Sequence, residues 1–354
     1  MKVKSEKRKK QTIFRIFLIP LIAIMLIQSI ITIGTLVVRR TTQMLEEYSG
    51  GMMNRLVENR KVILQNDMNQ RWASVYEQEP LFTGLLDEFL KEEGIGPDEF
   101  LGSGERKNLF IEQVFPECLD ILQNGYTTGI FLILTAEDMG EGDFEGFFIR
   151  DSDPNTNPAN YTDLLLERGS KQLSRKWNIP LDTCWTTRFH MESQGRNAAD
   201  SYFYEPWRAG MEYGDADTKD LGYWSLPFSL EKDTNSSYEM ITYSLPLRYR
   251  GQVYGVLGIE ISSRMLYDYF PVSELNHSQQ SGYMMAVRQS DGSYIPLVGK
   301  GVLYNLIRSG KESFLLRETG YDNLSLVQDV KMNKEGVYAV VCPLKLYSNN
   351  VPYE

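Results

Sequence analysis

The segment MITYSLPLRYRGQVYGVLGIEIS, Met240–Ser262, decides the fold of this chain. Apolar side chains alternate along both of its halves, and a tight turn at Arg250-Gly251 separates them, so the segment predicts two antiparallel strands. Glycine weakens a strand unless a neighbour needs the space that its missing side chain leaves. In the second strand the alternation assigns one face to Gln252, Tyr254, Val256, Gly258 and Glu260. On this face the missing side chain of Gly258 leaves space next to the carboxylate of Glu260, which predicts the floor of a cavity with a polar group at its end.

The charge of the chain is distributed unevenly. The 354 residues carry a net charge of −10, yet residues 1–15 hold seven Lys and Arg against the single carboxylate of Glu6, a balance of +6. The remaining 339 residues therefore have a balance of −16. Because phosphate contacts need clustered Lys and Arg, this large acidic part is predicted not to bind nucleic acid.

A membrane segment follows the basic tail. Ile16–Val38 contains 23 residues without a charge, and roughly 20 apolar residues span a bilayer as a helix. The alternative is a cleaved signal peptide, which needs a shorter apolar core and a small-residue cleavage site. Because the segment continues directly into Arg39-Arg40, an uncleaved anchor in the cell membrane is favoured. Basic residues collect on the cytoplasmic side, so residues 1–15 are predicted inside and residues 39–354 outside.

Helical spacing continues beyond the membrane segment. In residues 39–78, apolar residues recur on one helix face, which predicts a long helix that either forms a dimer stalk or packs on its own domain. Two shorter helices are predicted at Pro80–Glu93 and Lys107–Gln123, and a third around Leu164–Trp177. Strands are predicted at Tyr126–Thr135, Phe144–Arg150, Met240–Tyr249, Val253–Ile261, Gly282–Gln289, Ser293–Val298 and Gly336–Leu346, with a short connecting helix at Arg264–Phe270.

Enzymatic chemistry finds no support in the sequence. Only two histidines and three well-separated cysteines occur, and no metal-ligand, nucleotide-loop or nucleophile pattern is present. The chain is therefore predicted to be no enzyme and to hold no metal or cofactor. Four of its five tryptophans lie between residues 177 and 249, in a stretch with little regular pattern. These aromatic residues either fill a core or line a pocket for a small ligand.

The closing strands resemble those of the double Cache family, the PAS-like extracellular sensor domains of bacterial receptors. The resemblance lies in Ile241–Leu247 and Gly251–Ser262, with Phe203-Tyr204 and Tyr223-Trp224-Ser225 similar to the aromatic pocket segments of the family. It implies an α+β fold with an N-terminal transmembrane helix, a long stalk helix and two PAS-like antiparallel-sheet modules. The implied boundaries are a tail at 1–15, the membrane helix at 16–38, the stalk at 39–78, a membrane-distal module at 79–263 and a membrane-proximal module at 264–354.

The resemblance also implies a ligand site in the distal module. Ser201 and Ser225 stand where amino-acid-binding members carry an Arg and an Asp, so an α-amino acid is not the expected ligand, although Glu260 keeps the last acidic position. Glu260 is the foremost candidate for ligand contact, and Arg188 is a candidate cation. The complete candidate set is Arg188, Tyr204, Trp207, Tyr223, Trp224, Ser225, Tyr243 and Glu260.

Together these features predict the ligand-sensing part of a dimeric membrane receptor. The resemblance implies that it signals to a cytoplasmic output such as a diguanylate cyclase, on a longer protein of which this chain is a part. The alternative is a membrane-anchored solute-binding or structural surface protein without signalling.

Overall fold

The computed structural model describes residues 2–140, 142–154, 162–192, 200–230, 238–275, 281–309, 312–321 and 323–347. The chain divides into two compact units. One contains residues 1–58, 317–326 and 338–342, and the other contains residues 59–316, 327–337 and 343–354. The predicted α+β class is confirmed, with a long N-terminal helix followed by antiparallel sheets.

Helix α1, Lys2–Asn66, runs without interruption through Gly50-Gly51. Within it, Phe17–Thr41 is long and apolar enough to cross a membrane, and no part of its most apolar window is buried. The helical path then changes geometry twice, to a π-helical segment at Asp67–Trp72 and a 3₁₀ segment at Ala73–Gln78. The predicted helix over 39–78 therefore forms, but its last twelve residues depart from α geometry.

A seven-stranded sheet is the centre of the larger unit. Its strand order is β5-β4-β3-β1-β9-β8-β7, and all of its pairs are antiparallel except the parallel pair β4 and β5. A separate two-stranded sheet pairs β2 with β6. The strands are β1 Gly129–Leu134, β2 Gly142–Phe144, β3 Gly146–Asp151, β4 Leu164–Arg168, β5 Leu181–Thr186, β6 Phe189–Met191, β7 Tyr223–Trp224, β8 Met240–Tyr249 and β9 Gln252–Ser262.

Helices cover both faces of this sheet. They are α2 Glu79–Glu93, α3 Pro97–Leu101, α4 Gly104–Gly125, α5 Lys171–Trp177 and α6 Ser201–Glu212, with a 3₁₀ turn at Thr218–Asp220. Helix α4 packs through Phe115 on Phe147 of β3, with ring centroids 5.1 Å apart. On the opposite face, α6 places Tyr202 against Phe131 of β1, with ring centroids 5.2 Å apart. Strands β1, β3, β8 and β9 are thus buried on both sides, whereas the edge strand β5 is partly exposed.

Two sequence predictions were wrong in this region. The expected helix around Leu164–Trp177 begins as strand β4, and only Lys171–Trp177 is helical. The apolar run Leu164-Leu165-Leu166 is as compatible with a buried strand as with a helix. Gly169 (φ +131°) separates β4 from α5. The aromatic stretch without regular pattern contains a twelve-residue helix, α6, despite Pro206 within it.

Smaller elements complete the chain. Helix α7, Ser263–Asp268, begins with a Ser262 cap that accepts a hydrogen bond from the Met265 N–H, and a 3₁₀ turn follows at Val272–Leu275. Strands β10 Gly282–Arg288 and β11 Tyr294–Gly301 form the predicted hairpin, followed by helix α8 at Val302–Arg308. A three-stranded sheet contains β12 Leu316–Glu318, β13 Ser325–Met332 and β14 Glu335–Ala339.

Candidate functional site

A row of polar side chains crosses the large sheet beneath helix α6. Its backbone register pairs Thr242 of β8 with Glu260 of β9, Glu260 with Gly129 of β1, and Gly129 with Arg150 of β3. Directly paired residues share a face of a sheet. Ser225 extends the row, because its hydroxyl accepts hydrogen bonds from the Thr242 N–H (2.9 Å) and the Thr242 hydroxyl (3.1 Å).

Two glycines make room for this row. A Cβ at Gly129 would lie 2.6 Å from Glu260 Oε2, so the bare backbone of β1 lets the carboxylate lean across toward Arg150. A Cβ at Gly258 would overlap the ring of Phe131, which fills that place instead. The space opened by Gly258 is therefore occupied by an aromatic core side chain, and the carboxylate of Glu260 uses the space at Gly129.

Glu260 is completely buried, with 0% of its surface exposed. Its Oε1 accepts hydrogen bonds from the Thr128 hydroxyl (3.0 Å) and from the Tyr238 hydroxyl. The Arg150 guanidinium lies flat over the Tyr238 ring, with its central carbon 3.5 Å from the ring centroid. This stacking holds the cation in place and leaves its edge directed at carboxylates.

Arg150 is surrounded by carboxylates. Besides Glu260, it forms an ion pair with Glu167 of β4, and its Nη1 lies 3.8 Å from Asp182 of β5. The side chains of Glu167 and Asp182 are 5% and 16% exposed, so this is an interior cluster with more negative than positive groups. Removing charges from water is costly unless they are paired, and one guanidinium must here serve three carboxylates.

Burial dominates the protonation of this cluster. It raises the pKa of Glu167 to about 8, against the opposing attraction of the Arg150 guanidinium. Burial also raises the pKa of Glu260, although Arg150 and the hydrogen bonds from Tyr238 and Thr128 favour its ionised form. The cluster can therefore hold a proton near neutral pH, which reduces its excess negative charge.

One contact in the row is incomplete. Glu260 Oε2 and Arg150 Nε lie 3.8 Å apart, beyond hydrogen-bond distance. Neither atom has a hydrogen-bond partner among the residues that the structure describes. Because buried polar atoms nearly always have partners, this acceptor and this donor, side by side, are the best-defined place for a small polar molecule on this face.

Three predicted aromatic residues lie on the α6 side of the sheet. Tyr204 is fully buried in an aromatic cluster with Phe131, and its hydroxyl donates to the Gly140 carbonyl (3.1 Å). Trp207 is partly buried and packs edge-on against Tyr204, with ring centroids 6.4 Å apart. Tyr223 lies opposite Ser244 in the sheet, and burial raises the pKa of its hydroxyl. These rings belong to the core that covers the polar row.

Other candidates are not brought together with Glu260. Tyr243 is paired with Ile259 and lies on the opposite face of the sheet, where its ring packs against Trp224 at 5.0 Å. Arg188 is half exposed and forms an ion pair with Glu145 (2.8 Å). The structure thus groups Glu260 and Ser225 in one row and places Trp224, Tyr243 and Arg188 elsewhere.

A register shift also moves Tyr254 off the predicted face. Between Leu247 and Arg248 the pairing of β8 with β9 is irregular, so Tyr254 packs on Phe110 of α4, with ring centroids 6.3 Å apart. The predicted sharing of a face by Tyr254 and Glu260 was therefore wrong, because simple alternation does not account for a bulge.

Sequence reasoning missed five partners of Glu260 or Arg150. They are Thr128, Arg150, Glu167, Asp182 and Tyr238. Charged residues inside otherwise apolar strands, as in FFIRD and LLLER, were the available signal, since a buried strand rarely carries an unpaired charge. Among the described residues no group of three or more His, Cys, Asp or Glu is placed to hold a metal ion.

The chain was compared with known proteins. No protein-family model matches it, and neither does any curated protein. Among solved structures it is similar to the ligand-binding domain of the Campylobacter jejuni chemoreceptor Tlp3 in complex with L-valine, at 13% identity and a TM-score of 0.30, over 78% of this chain and 88% of that chain. The periplasmic sensory domain of the Campylobacter jejuni chemoreceptor Tlp1 gives 13% identity and a TM-score of 0.31, over 72% and 87%. A methyl-accepting chemotaxis protein X gives 11% identity and a TM-score of 0.37, over 81% and 91%. All three structures are less than 25% identical to this chain, with TM-scores below 0.5.

Proposed function

We propose that residues 39–354 form the extracellular small-molecule sensing region of a bacterial membrane receptor. The observation that carries the proposal is the incomplete buried contact between Glu260 Oε2 and Arg150 Nε, which offers one acceptor and one donor at the centre of the sheet. A small polar molecule with a matching donor and acceptor would complete both hydrogen bonds. The apolar segment Phe17–Thr41 is long enough to anchor such a region in a membrane.

Binding at this position requires a change of conformation. Glu260 is fully buried, and its internal partners Tyr238 and Arg150 already occupy the space beside it. A ligand that contacts Glu260 must therefore displace Tyr238 from the carboxylate or Arg150 from the Tyr238 ring. Because a ligand shifts an equilibrium by its differential affinity for two states, this exchange of internal for external partners supplies the signal.

The proposal also includes how the signal leaves the sensing region. The long helix α1 pairs with its copy in a homodimer and carries the change across the membrane, and the output is a cytoplasmic diguanylate cyclase. The sequence from Tyr223-Trp224-Ser225 through the closing strands supports this choice of output, because its residue pattern resembles that of sensor domains attached to diguanylate cyclases. No catalytic step is assigned to the chain itself. A second membrane span followed by a diguanylate cyclase (GGDEF) module is expected in the reading frame beyond Glu354. A kinase or chemotaxis module after that span would also support a receptor, and a frame without any signalling module would favour the anchored binding protein instead.

Ligand binding can be tested by thermal shift on the full chain in detergent. A panel of amino acids, amines, organic acids and sugars is screened, and at least one compound is expected to raise the melting temperature. Glu260→Gln keeps the shape of the side chain but removes its charge, so it should weaken that shift at least about tenfold in ligand concentration, as expected for a lost charge-assisted hydrogen bond.

A matched control comes from Glu145, a buried glutamate outside the polar row. Glu145 is 7% exposed and pairs with Arg188, away from the polar row. Glu145→Gln should leave the ligand-induced shift unchanged. If no compound stabilises the protein, or if Glu145→Gln and Glu260→Gln weaken the shift equally, the site assigned here is incorrect.

A further inference from the structure

A cavity of about 220 Å³ lies on the face of the sheet opposite Glu260. Its buried lining residues, called the floor, include Trp72 of the π-helical segment, Thr127 at the approach to β1 and Ile259 of β9. Its more exposed lining residues, called the mouth, include Arg71, Glu117 and Asp120. A cavity of about 150 Å³ in another protein binds benzene, so this volume is large enough for a small organic molecule.

Two polar atoms of the floor are buried without partners. Thr127 and Trp72 are each 1% exposed. Within the described part of the chain, neither Thr127 Oγ1 nor Trp72 Nε1 has a hydrogen-bond partner. An indole N–H can only donate, and a threonine hydroxyl can donate or accept. A molecule that satisfies both must carry a hydrogen-bond acceptor, such as a hydroxyl or carbonyl oxygen, at its buried end.

The mouth of the cavity favours a positive charge. Glu117 and Asp120 both lie on the last turns of α4, the 22-residue helix that ends at Gly125. The C-terminal end of a helix carries partial negative charge, which adds to that of the two carboxylates. The charge of Arg71 is matched locally, because its Nη1 lies 3.6 Å from Asp67 and its guanidinium lies over a tyrosine ring.

We propose that this cavity binds a small organic cation that bears a hydroxyl group, of the amino-alcohol class. The oxygen of the ligand accepts from Trp72 Nε1 and contacts Thr127 Oγ1, and its ammonium group lies at the mouth beside Glu117 and Asp120. This second site is separate from the polar row, since Ile259 and Glu260 project to opposite faces of β9.

The position of the cavity gives its occupation a structural consequence. Trp72 ends the π-helical segment and packs edge-on against Trp224 of β7 (6.4 Å) and Tyr269 (5.9 Å). Single π-helical turns in longer helices occur frequently at functional sites. A ligand that bonds to Trp72 Nε1 therefore stabilises this turn against the sheet.

The proposal is tested with three probes of similar size: ethanolamine, ethylamine and ethylene glycol. Isothermal titration of the full chain in detergent is expected to show binding of ethanolamine. Ethylamine, which lacks the oxygen, and ethylene glycol, which lacks the charge, should each bind at least about tenfold more weakly, since each loses one hydrogen-bonded or charged contact.

Substitutions locate the bound probe. Thr127→Val preserves shape, removes the hydroxyl and should weaken ethanolamine binding about tenfold. Thr135→Val is the matched control, because Thr135 is also a buried threonine beside β1 but donates to the Val253 carbonyl (3.1 Å) away from the cavity. Asp120→Asn, at an exposed position of α4, should weaken binding without any effect on folding, so it remains informative if Thr127→Val does not fold.

Three results would overturn the proposal. The first is an absence of binding by all three probes, which would mean that the cavity holds only water. The second is ethanolamine binding that Thr127→Val and Asp120→Asn leave unchanged. The third is binding that disappears in Glu260→Gln, which would place the amine in the polar row and leave the proposed receptor function intact.

Discussion

The two faces of the seven-stranded sheet bury polar groups in different ways. Under α6, the carboxylates of Glu260, Glu167 and Asp182 share the single guanidinium of Arg150. On the α4 face, the Thr127 hydroxyl and the Trp72 N–H have no hydrogen-bond partner among the described residues, and both residues border a cavity. The first face is filled by the protein's own side chains, and the second leaves space.

This difference determines on which face ligand binding requires the side chains to rearrange. A ligand on the α6 face must compete with internal partners, so binding and conformational change are coupled there. A ligand on the α4 face enters existing space and adds hydrogen bonds to groups that have none. The two faces should therefore respond differently to ligands, since binding under α6 exchanges internal charged partners and binding on the α4 face does not.

The largest expected effect is the loss of the central cation. Arg150→Met keeps an apolar side chain of similar length but leaves Glu260 and Glu167 buried without their guanidinium. Breaking a buried ion pair by removing one partner costs about 3–5 kcal/mol. We expect this decrease in the free energy of unfolding, measured by urea denaturation with tryptophan fluorescence at pH 7.

An exposed ion pair provides the control for that substitution. Arg208 pairs with Glu205 (2.7 Å), and their side chains are 44% and 30% exposed; such exposed pairs contribute about 0–1 kcal/mol. Arg208→Met should therefore change stability by no more than this amount. Equal losses in Arg150→Met and Arg208→Met would mean that the cluster under α6 is not an interior charge network.

A smaller effect is expected from overpacking at Gly258. In Gly258→Ala the new methyl group overlaps the Phe131 ring, which also packs on Phe148 and Tyr202. Overpacked core substitutions cost about 1–3 kcal/mol. This loss in the free energy of unfolding is measured by the same urea denaturation. Gly142→Ala is the matched strand control, because no atom lies within 4 Å of its added Cβ. An unchanged stability in Gly258→Ala would show that Phe131 does not need the space.

Local patterns were sufficient to predict about half of the helices and strands. Strands β8 and β9 have clear alternation and a turn between them, so their bounds were predicted within one residue. Helices α2 and α4 followed from apolar spacing. The run Leu164–Arg168 has no period that separates a buried strand from a helix, and there the sequence pattern predicted the wrong element.

The candidate site was harder to predict because it depends on register. Alternation assigns Glu260 to a face of its own strand, but it does not show that Gly129 and Arg150 are its neighbours on the next two strands. Nor does it reveal that Tyr243 projects to the other face with Ile259. Contacts between strands far apart in sequence are set by pairing, which a single sequence without covariation does not supply.

The last prediction concerns the slope of stability with pH, which is compared between variants and not with the losses above. Burial raises the pKa of Glu167 from 4.5 to about 8 in the folded protein, so the folded state binds more protons than the unfolded state between these values. The free energy of unfolding therefore falls as pH rises through this window, by up to about 1.4 kcal/mol per pH unit. Glu167→Gln should flatten this slope in urea denaturation between pH 5 and pH 8, with a residual slope from Glu260, whose pKa is also raised. The control Glu88→Gln, at an exposed position, should show the same slope of stability with pH as the unsubstituted protein. If Glu167→Gln keeps that slope too, Glu167 is not the group that holds the proton.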